Sequence, residues 1–227
     1  MHLILPAILV LLIVFGPGLW VRRVMARYHE PADRYPGTGA DLARHLLNRY
    51  GLELVGVERT DAGDHYDPSD KVVRLSPANY DSRSLTAITV SAHEVGHALQ
   101  DAQGFAPLRW RTRLVRATHN AERAGAALLM ASPFLGMITR APGIGLMTFF
   151  GGLLSLGSSA VVHLVTLPTE FDASFVRALP ILQRDYLEKA DRPHARRILL
   201  AAALTYVAAS LMSLLNIARW WAILLRR

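Results

Sequence analysis

Three stretches of the chain are nearly free of charge, and the rest alternates polar and apolar positions; this division predicts the elements. His2 to Val21 is twenty residues without a formal charge, matching the roughly 20 helical residues that cross a bilayer core. It reads as a retained anchor, because Met1-His2-Leu3 is not a basic start and Trp20-Val21-Arg22-Arg23 is not a small-residue cleavage site. Ala124 to Thr169 holds a single charge, Arg140, beside Ala141-Pro142-Gly143, the pattern of two membrane helices joined by a tight turn. Ile198 to Ala218 is a further uncharged run, ending near Trp220 and Trp221 as at an interfacial belt.

Between these runs the periodicity changes. Asp41 to Tyr50 places Leu42, His45 and Leu46 on one helical stripe, stopped by Gly51. Leu52 to Arg59 and Lys71 to Leu75 alternate like strands around the turn-rich loop Thr60 to Pro68. Ser82 or Ser84 can cap a helix through Ala87, Val90, His93, His97 and Gln100 that stops at Gly104. The expected architecture is a mainly α membrane protein: about four transmembrane helices plus a cytoplasmic α+β domain with a small sheet. Its segments are an anchor at 2–21, the cytoplasmic domain at 22–123, a membrane hairpin at 124–169, a helical return at 170–197, a last membrane helix at 198–218 and an interfacial tail at 219–227.

Composition sharpens this picture. Hydrophobic residues make up 52% of the 227 and charged residues only 19%, which excludes a disordered chain. With no cysteine, disulfide scaffolds, thiolate metal sites and cysteine nucleophiles are ruled out, leaving His, Asp and Glu as the strong ligands. The net charge of +7 could suggest nucleic acid, but the arginines mostly flank the uncharged runs, so no nucleic-acid partner is expected. Arg22, Arg23, Arg116, Arg123, Arg196 and Arg197 adjoin membrane ends and place both polar regions in the cytoplasm by the positive-inside tendency. The expectation is a multi-pass protein of the bacterial inner membrane with a cytoplasm-facing site, the lipid bilayer as one partner, and an oligomer or partner membrane protein as another.

The chemistry concentrates in His93-Glu94-Val95-Gly96-His97. Residues four apart lie on one helix face about 6 Å apart along the axis, so both imidazoles can reach one ion. Glu94 stands about 100° further round, beside the ion rather than on it, where it can act on a water. A third ligand must come from an acid elsewhere. Glu170 stands out in Leu167-Pro168-Thr169-Glu170-Phe171-Asp172-Ala173-Ser174, where Glu170, Ser174 and Arg177 share a helical stripe and Phe171, Phe175 and Leu179 form another. Asp172 is the weaker candidate, and Glu170 could instead be a helix-start residue favoured by the macrodipole.

Several blocks together carry a resemblance: HEVGHALQ, the upstream DHYDP (Asp64 to Pro68) and VRLSP (Val73 to Pro77), LVTLPTEFDAS (Leu164 to Ser174) and AALTYVAA (Ala202 to Ala209). In this order they resemble the YugP-type neutral zinc metallopeptidases of bacterial membranes. The resemblance implies a zincin-like cytoplasmic domain with Zn2+ on His93, His97 and Glu170, and Glu94 as general base in peptide-bond hydrolysis. More distantly the chain is similar to membrane-embedded gluzincin peptidases of the HtpX and CAAX-prenyl type. Those usually carry an aspartate four residues after the glutamate, where this sequence has Ser174, with Asp172 or Asp101 as substitutes for orienting a histidine.

Two neutral imidazoles and one carboxylate leave zinc a fourth position, where the pKa of water falls from about 15.7 toward about 7. Donors for the developing oxyanion are sought among His65, Tyr66, Tyr80 and Arg177. The Val72 to Leu75 strand, read as a sheet edge, could hold an extended polypeptide through main-chain hydrogen bonds. The function read from the sequence is a zinc-dependent metalloendopeptidase acting on membrane-associated or unfolded polypeptides. The competing readings are a noncatalytic zinc-tied scaffold and a metal-ion transporter.

Overall fold

The computed structural model describes residues 4–205 and 207–208. Its helices and strands run in the order α1 (Ile4–Arg27), α2 (Gly39–Arg49), β1 (Gly56–Arg59), β2 (His65–Asp67), β3 (Val72–Leu75), α3 (Pro77–Tyr80), α4 (Leu85–Ala102), α5 (Ala106–Ile138) and α6 (Pro142–Val165). Then come α7 (Leu167–Phe171), a π-helical turn over Asp172–Ala178, and α8 (Leu179–Asp185); residues 192–205 are helical as well. Contacts divide the chain into two compact units, one of Leu19–Arg109 with Leu167–Thr205, the other of Met1–Gly18, Trp110–Thr166 and Tyr206–Arg227.

The first unit is built around α4. Apart from its last two residues, every position is buried, from Leu85 to Gln100, so its polar side chains, His93, Glu94, His97 and Gln100 among them, are enclosed with the apolar ones. It starts where the Ser84 side chain accepts a hydrogen bond from the Ala87 N–H at 3.1 Å, one of the two serines expected to cap it. It stops where Gly104 takes φ of +65°, a left-handed conformation that glycine adopts without a Cβ clash. Helix α2 packs on α4. Thr38 and Asp41 close a reciprocal capping box at its start, and Leu42, Ala43, Leu46 and Leu47 form the buried stripe while His45 stays exposed. Gly39 is required at this junction, since a Cβ there would lie 2.2 Å from the Asn79 carbonyl oxygen and 2.5 Å from Ser91 Oγ.

The sheet is three-stranded in the order β1-β3-β2, with β3 parallel to β1 and antiparallel to β2. The Val72–Leu75 strand is therefore central and offers no free edge, which corrects the edge-strand expectation; the edge packed on α4 is β2. The core joins Leu46, Leu47, Val73, Leu75, Val95, Leu182 and Ile198.

The second unit contains α6 and most of α5. These two helices approach closely at glycines: a Cβ at Gly145 would meet the Ser132 carbonyl oxygen at 2.9 Å, and one at Gly152 the Gly125 carbonyl oxygen at 2.7 Å.

The expected membrane architecture is corrected here. Among the described residues no helix is long and apolar enough to cross a membrane, so neither the four-span fold nor the multi-pass inner-membrane localisation with a cytoplasm-facing site is upheld. The physical reason is clearest in α5. Its apolar stretch from Ala124 to Ile138 is the end of a helix that begins at Ala106 and carries Arg109, Arg111, Arg113, Arg116 and Arg123, so the uncharged part falls short of the roughly 20 residues a span needs. Residues 2–3 of the expected anchor, 206 and 209–218 of the expected last span and the 219–227 tail lie outside the described residues.

Candidate metal centre

The HExxH face of α4 meets the chain that returns at α7. Packing is possible because Gly96 has no side chain; a Cβ there would sit 2.8 Å from the Ala173 carbonyl oxygen. The close approach brings Glu170 to the imidazoles: its Oε2 is 3.3 Å from His93 Nε2 and 3.4 Å from His97 Nε2. One ligand atom from each of the three residues lies within 4.8 Å of the others, and all three residues are buried.

These separations fit an ion. Zinc binds imidazole nitrogen and carboxylate oxygen at about 2.0–2.2 Å, so ligands at neighbouring corners of a tetrahedron stand about 3.3–3.5 Å apart. Two buried imidazoles and a buried carboxylate are also a donor set suited to zinc.

The far side of each ring fixes its proton. His93 Nδ1 lies 3.0 Å from Ser174 Oγ, and that hydroxyl donates to the Leu199 carbonyl oxygen at 3.2 Å. With its one hydrogen spent on an oxygen that can only accept, Ser174 accepts from His93 Nδ1–H. His97 Nδ1 lies 2.9 Å from Gln100 Oε1, while Gln100 Nε2 donates to the Thr169 carbonyl oxygen at 2.8 Å and to Asp172 Oδ2 at 2.7 Å. His97 Nδ1 is therefore a donor as well, and both Nε2 lone pairs face Glu170.

Glu94, 6% exposed, is in the same pocket of charge. Burial pushes its carboxyl above the ordinary carboxylate range; His93 and His97 pull it back, and Glu170 and Asp64 push it up again.

The remaining expected site residues fall into two groups. Asp172 and Arg177 stand one layer behind the imidazoles: Arg177 Nε donates to Asp172 Oδ2 at 2.6 Å, and Asp172 reaches His97 only through Gln100. Tyr66 and Asp101 pair with each other. The Tyr66 hydroxyl donates to Asp101 Oδ2 at 2.7 Å, and Lys71 forms an ion pair with the same carboxylate, so this group ties β2 to the end of α4. His65 Nδ1 donates to the Gly63 carbonyl oxygen at 2.8 Å, and Tyr80 ends α3 packed against the core.

Sequence reasoning missed Gln100 as an orienting group. The available signal was its place three residues after His97, a polar side chain on the same face of the helix.

The family described as "Putative neutral zinc metallopeptidase" matches residues 3–225. The "Putative membrane protease YugP" of Bacillus subtilis (strain 168) is 37% identical over 185 residues, which is 81% of this chain and 79% of that protein. No solved structure gives a significant match. The chain belongs to the neutral zinc metallopeptidase family, and zinc is the cofactor suited to its buried His93, His97 and Glu170 cluster.

Proposed function

We propose that the protein is a zinc-dependent endopeptidase in which His93, His97 and Glu170 hold the ion and Glu94 is the general base. The observation that carries this reading is the convergence of the three ligand atoms within 4.8 Å. The Nδ1 atoms of both imidazoles are engaged elsewhere, which leaves each Nε2 lone pair to the ion.

Zinc held there supplies Lewis acidity, polarising a peptide carbonyl and making water acidic enough to attack near neutral pH. The proton is handled by Glu94, whose carboxylate takes it from the attacking water and passes it to the leaving nitrogen. A carboxyl raised by burial suits that exchange, because its proton affinity lies closer to the working pH than that of a solvated glutamate. His93 and His97 keep their Nδ1 protons on Ser174 and Gln100 throughout, so neither ring turns away from the ion. An unfolded or extended polypeptide is the substrate class best matched to β2, an edge strand packed on α4 with main-chain groups to offer.

The test is zinc content and casein cleavage of the full chain, with Glu94→Gln and Glu170→Ala beside it. Glu94→Gln is expected to retain zinc and to lose cleavage by about 10²-fold or more, whereas Glu170→Ala loses zinc. Unchanged cleavage by Glu94→Gln, or a native protein that binds no zinc, overturns the proposal.

A further inference from the structure

We infer that Gln100 is a positioning residue of the metal centre, one amide that sets the tautomer of His97 and pins the backbone bearing Glu170, with the Asp172–Arg177 pair fixing which way that amide faces. The inference rests on the reading of His93, His97 and Glu170 as zinc ligands.

Gln100 is fully buried, and its side-chain amide uses both of its ends. Its oxygen accepts from His97, while its nitrogen donates to the carbonyl of Thr169, the residue before Glu170. One side chain thus spans the two chain segments that supply the ligands. Turned the other way, the amide would set its oxygen against the Thr169 carbonyl and the Asp172 carboxylate, acceptor against acceptor. Its nitrogen would then demand a lone pair at His97 Nδ1, moving the ring proton to Nε2, onto the lone pair a metal needs. Asp172 therefore selects the productive orientation.

Arg177 holds Asp172 in place. Its Nε donates to Asp172 at 2.6 Å, its Nη1 to Gln103 Oε1 at 2.8 Å, and its guanidinium lies 5.6 Å from the centre of the Phe105 ring. Residues five apart in an α-helix diverge by about 140°. The π-helical turn over Asp172–Ala178 makes its bonds between residues five apart and so returns Arg177 to the side of Asp172. The chain orients His97 while keeping the carboxylate charge one side chain away and neutralised, and Ser174 does the same for His93 with a neutral hydroxyl.

The experiment measures zinc affinity by chelator competition, and the visible spectrum of the cobalt-substituted form, for the full-length wild type, Gln100→Leu, Gln100→Glu, Asp172→Asn and the Gln100→Leu/Asp172→Asn double variant. Gln100→Leu is expected to bind zinc about 10- to 100-fold more weakly with an altered cobalt spectrum. Gln100→Glu, of the same shape but unable to donate, fails to restore either. Because Asp172 acts through Gln100, the double variant is no weaker than Gln100→Leu alone. Wild-type zinc affinity and cobalt spectrum in folded Gln100→Leu, or in folded Gln100→Glu should the leucine variant not fold, overturn the inference, as do additive losses in the double variant. Weakened zinc binding in the variants upholds it even where the zinc-loaded wild type leaves casein intact, a result that would overturn the peptidase reading alone.

Discussion

Replacing Gly96 by alanine sets two effects of opposite sign against each other. In a helix interior the change is favourable by about 0.8–1.0 kcal/mol from propensity alone. At this position the new Cβ would sit 2.8 Å from the Ala173 carbonyl oxygen, where ordinary contact begins near 3.4 Å. The obstacle is backbone, which cannot swing aside as a flexible side chain would, so the returning segment must retreat by about 0.6 Å. Overpacking of this kind costs about 1–3 kcal/mol. The contact prevails over propensity, and the net loss is about 1 kcal/mol, or roughly 2–4 °C in melting temperature for a chain of this size. Function suffers more than stability, because Ala173 lies between Glu170 and Ser174 and the retreat exceeds the roughly 0.5 Å within which a site must be held. Thermal melting and chelator competition on Gly96→Ala, side by side with wild type, give both numbers; zinc affinity is expected to fall about tenfold. A variant that melts higher than wild type and binds zinc equally well would refute the reasoning.

Two further outcomes follow from other contacts. Gly39→Ala drives a Cβ to 2.2 Å from the Asn79 carbonyl and 2.5 Å from Ser91 Oγ and is expected to cost about 3 kcal/mol or more, read as a lowered denaturation midpoint; a midpoint equal to wild type would contradict the close approach. Burial, together with its hydrogen bond to Asp101, raises the Tyr66 hydroxyl above the ordinary tyrosine range, so its contribution to stability is fully present below about pH 10, the unfolded value, and is lost as pH rises toward the folded one. Denaturant unfolding between pH 8 and 11 should show stability falling above pH 10, and a shallower fall in Tyr66→Phe; identical slopes would remove Tyr66 from the account.

The elements whose signal is local were legible from the residues alone. Ser84, the periodic run through His93 and His97, and Gly104 mark the start, face and end of α4. Glu170 was singled out because an HExxH helix needs a third ligand and because it stands where the expected membrane hairpin would end; it does lie beside His93 and His97, although no described helix is long and apolar enough to span. What depends on tertiary packing was not. The order β1-β3-β2 leaves no trace in strand alternation, so β3 was read as an edge. Asp172 and Arg177 fall on different faces of an α-helix, and only the π-helical turn joins them. Charge-free runs were read as membrane spans by length, but a run says nothing of where its helix begins, and α5 takes in five arginines before Ala124. The blocks that resemble a known family carried the expected ligand role to Glu170, where the residues alone had left Asp172 as a weaker alternative.

The bond between Gln100 and Thr169 joins positions 69 apart in sequence, and among the described residues the tether between them adds no member to the His93, His97 and Glu170 cluster. The entropic cost of closing a flexible loop grows only with the logarithm of its length, about 0.6 kcal/mol for each doubling. By that measure the length of the intervening stretch matters little to the closure itself, provided its two ends still arrive at the same amide. Whatever reshapes that stretch is thus free to act without renegotiating the chemistry held at its two ends.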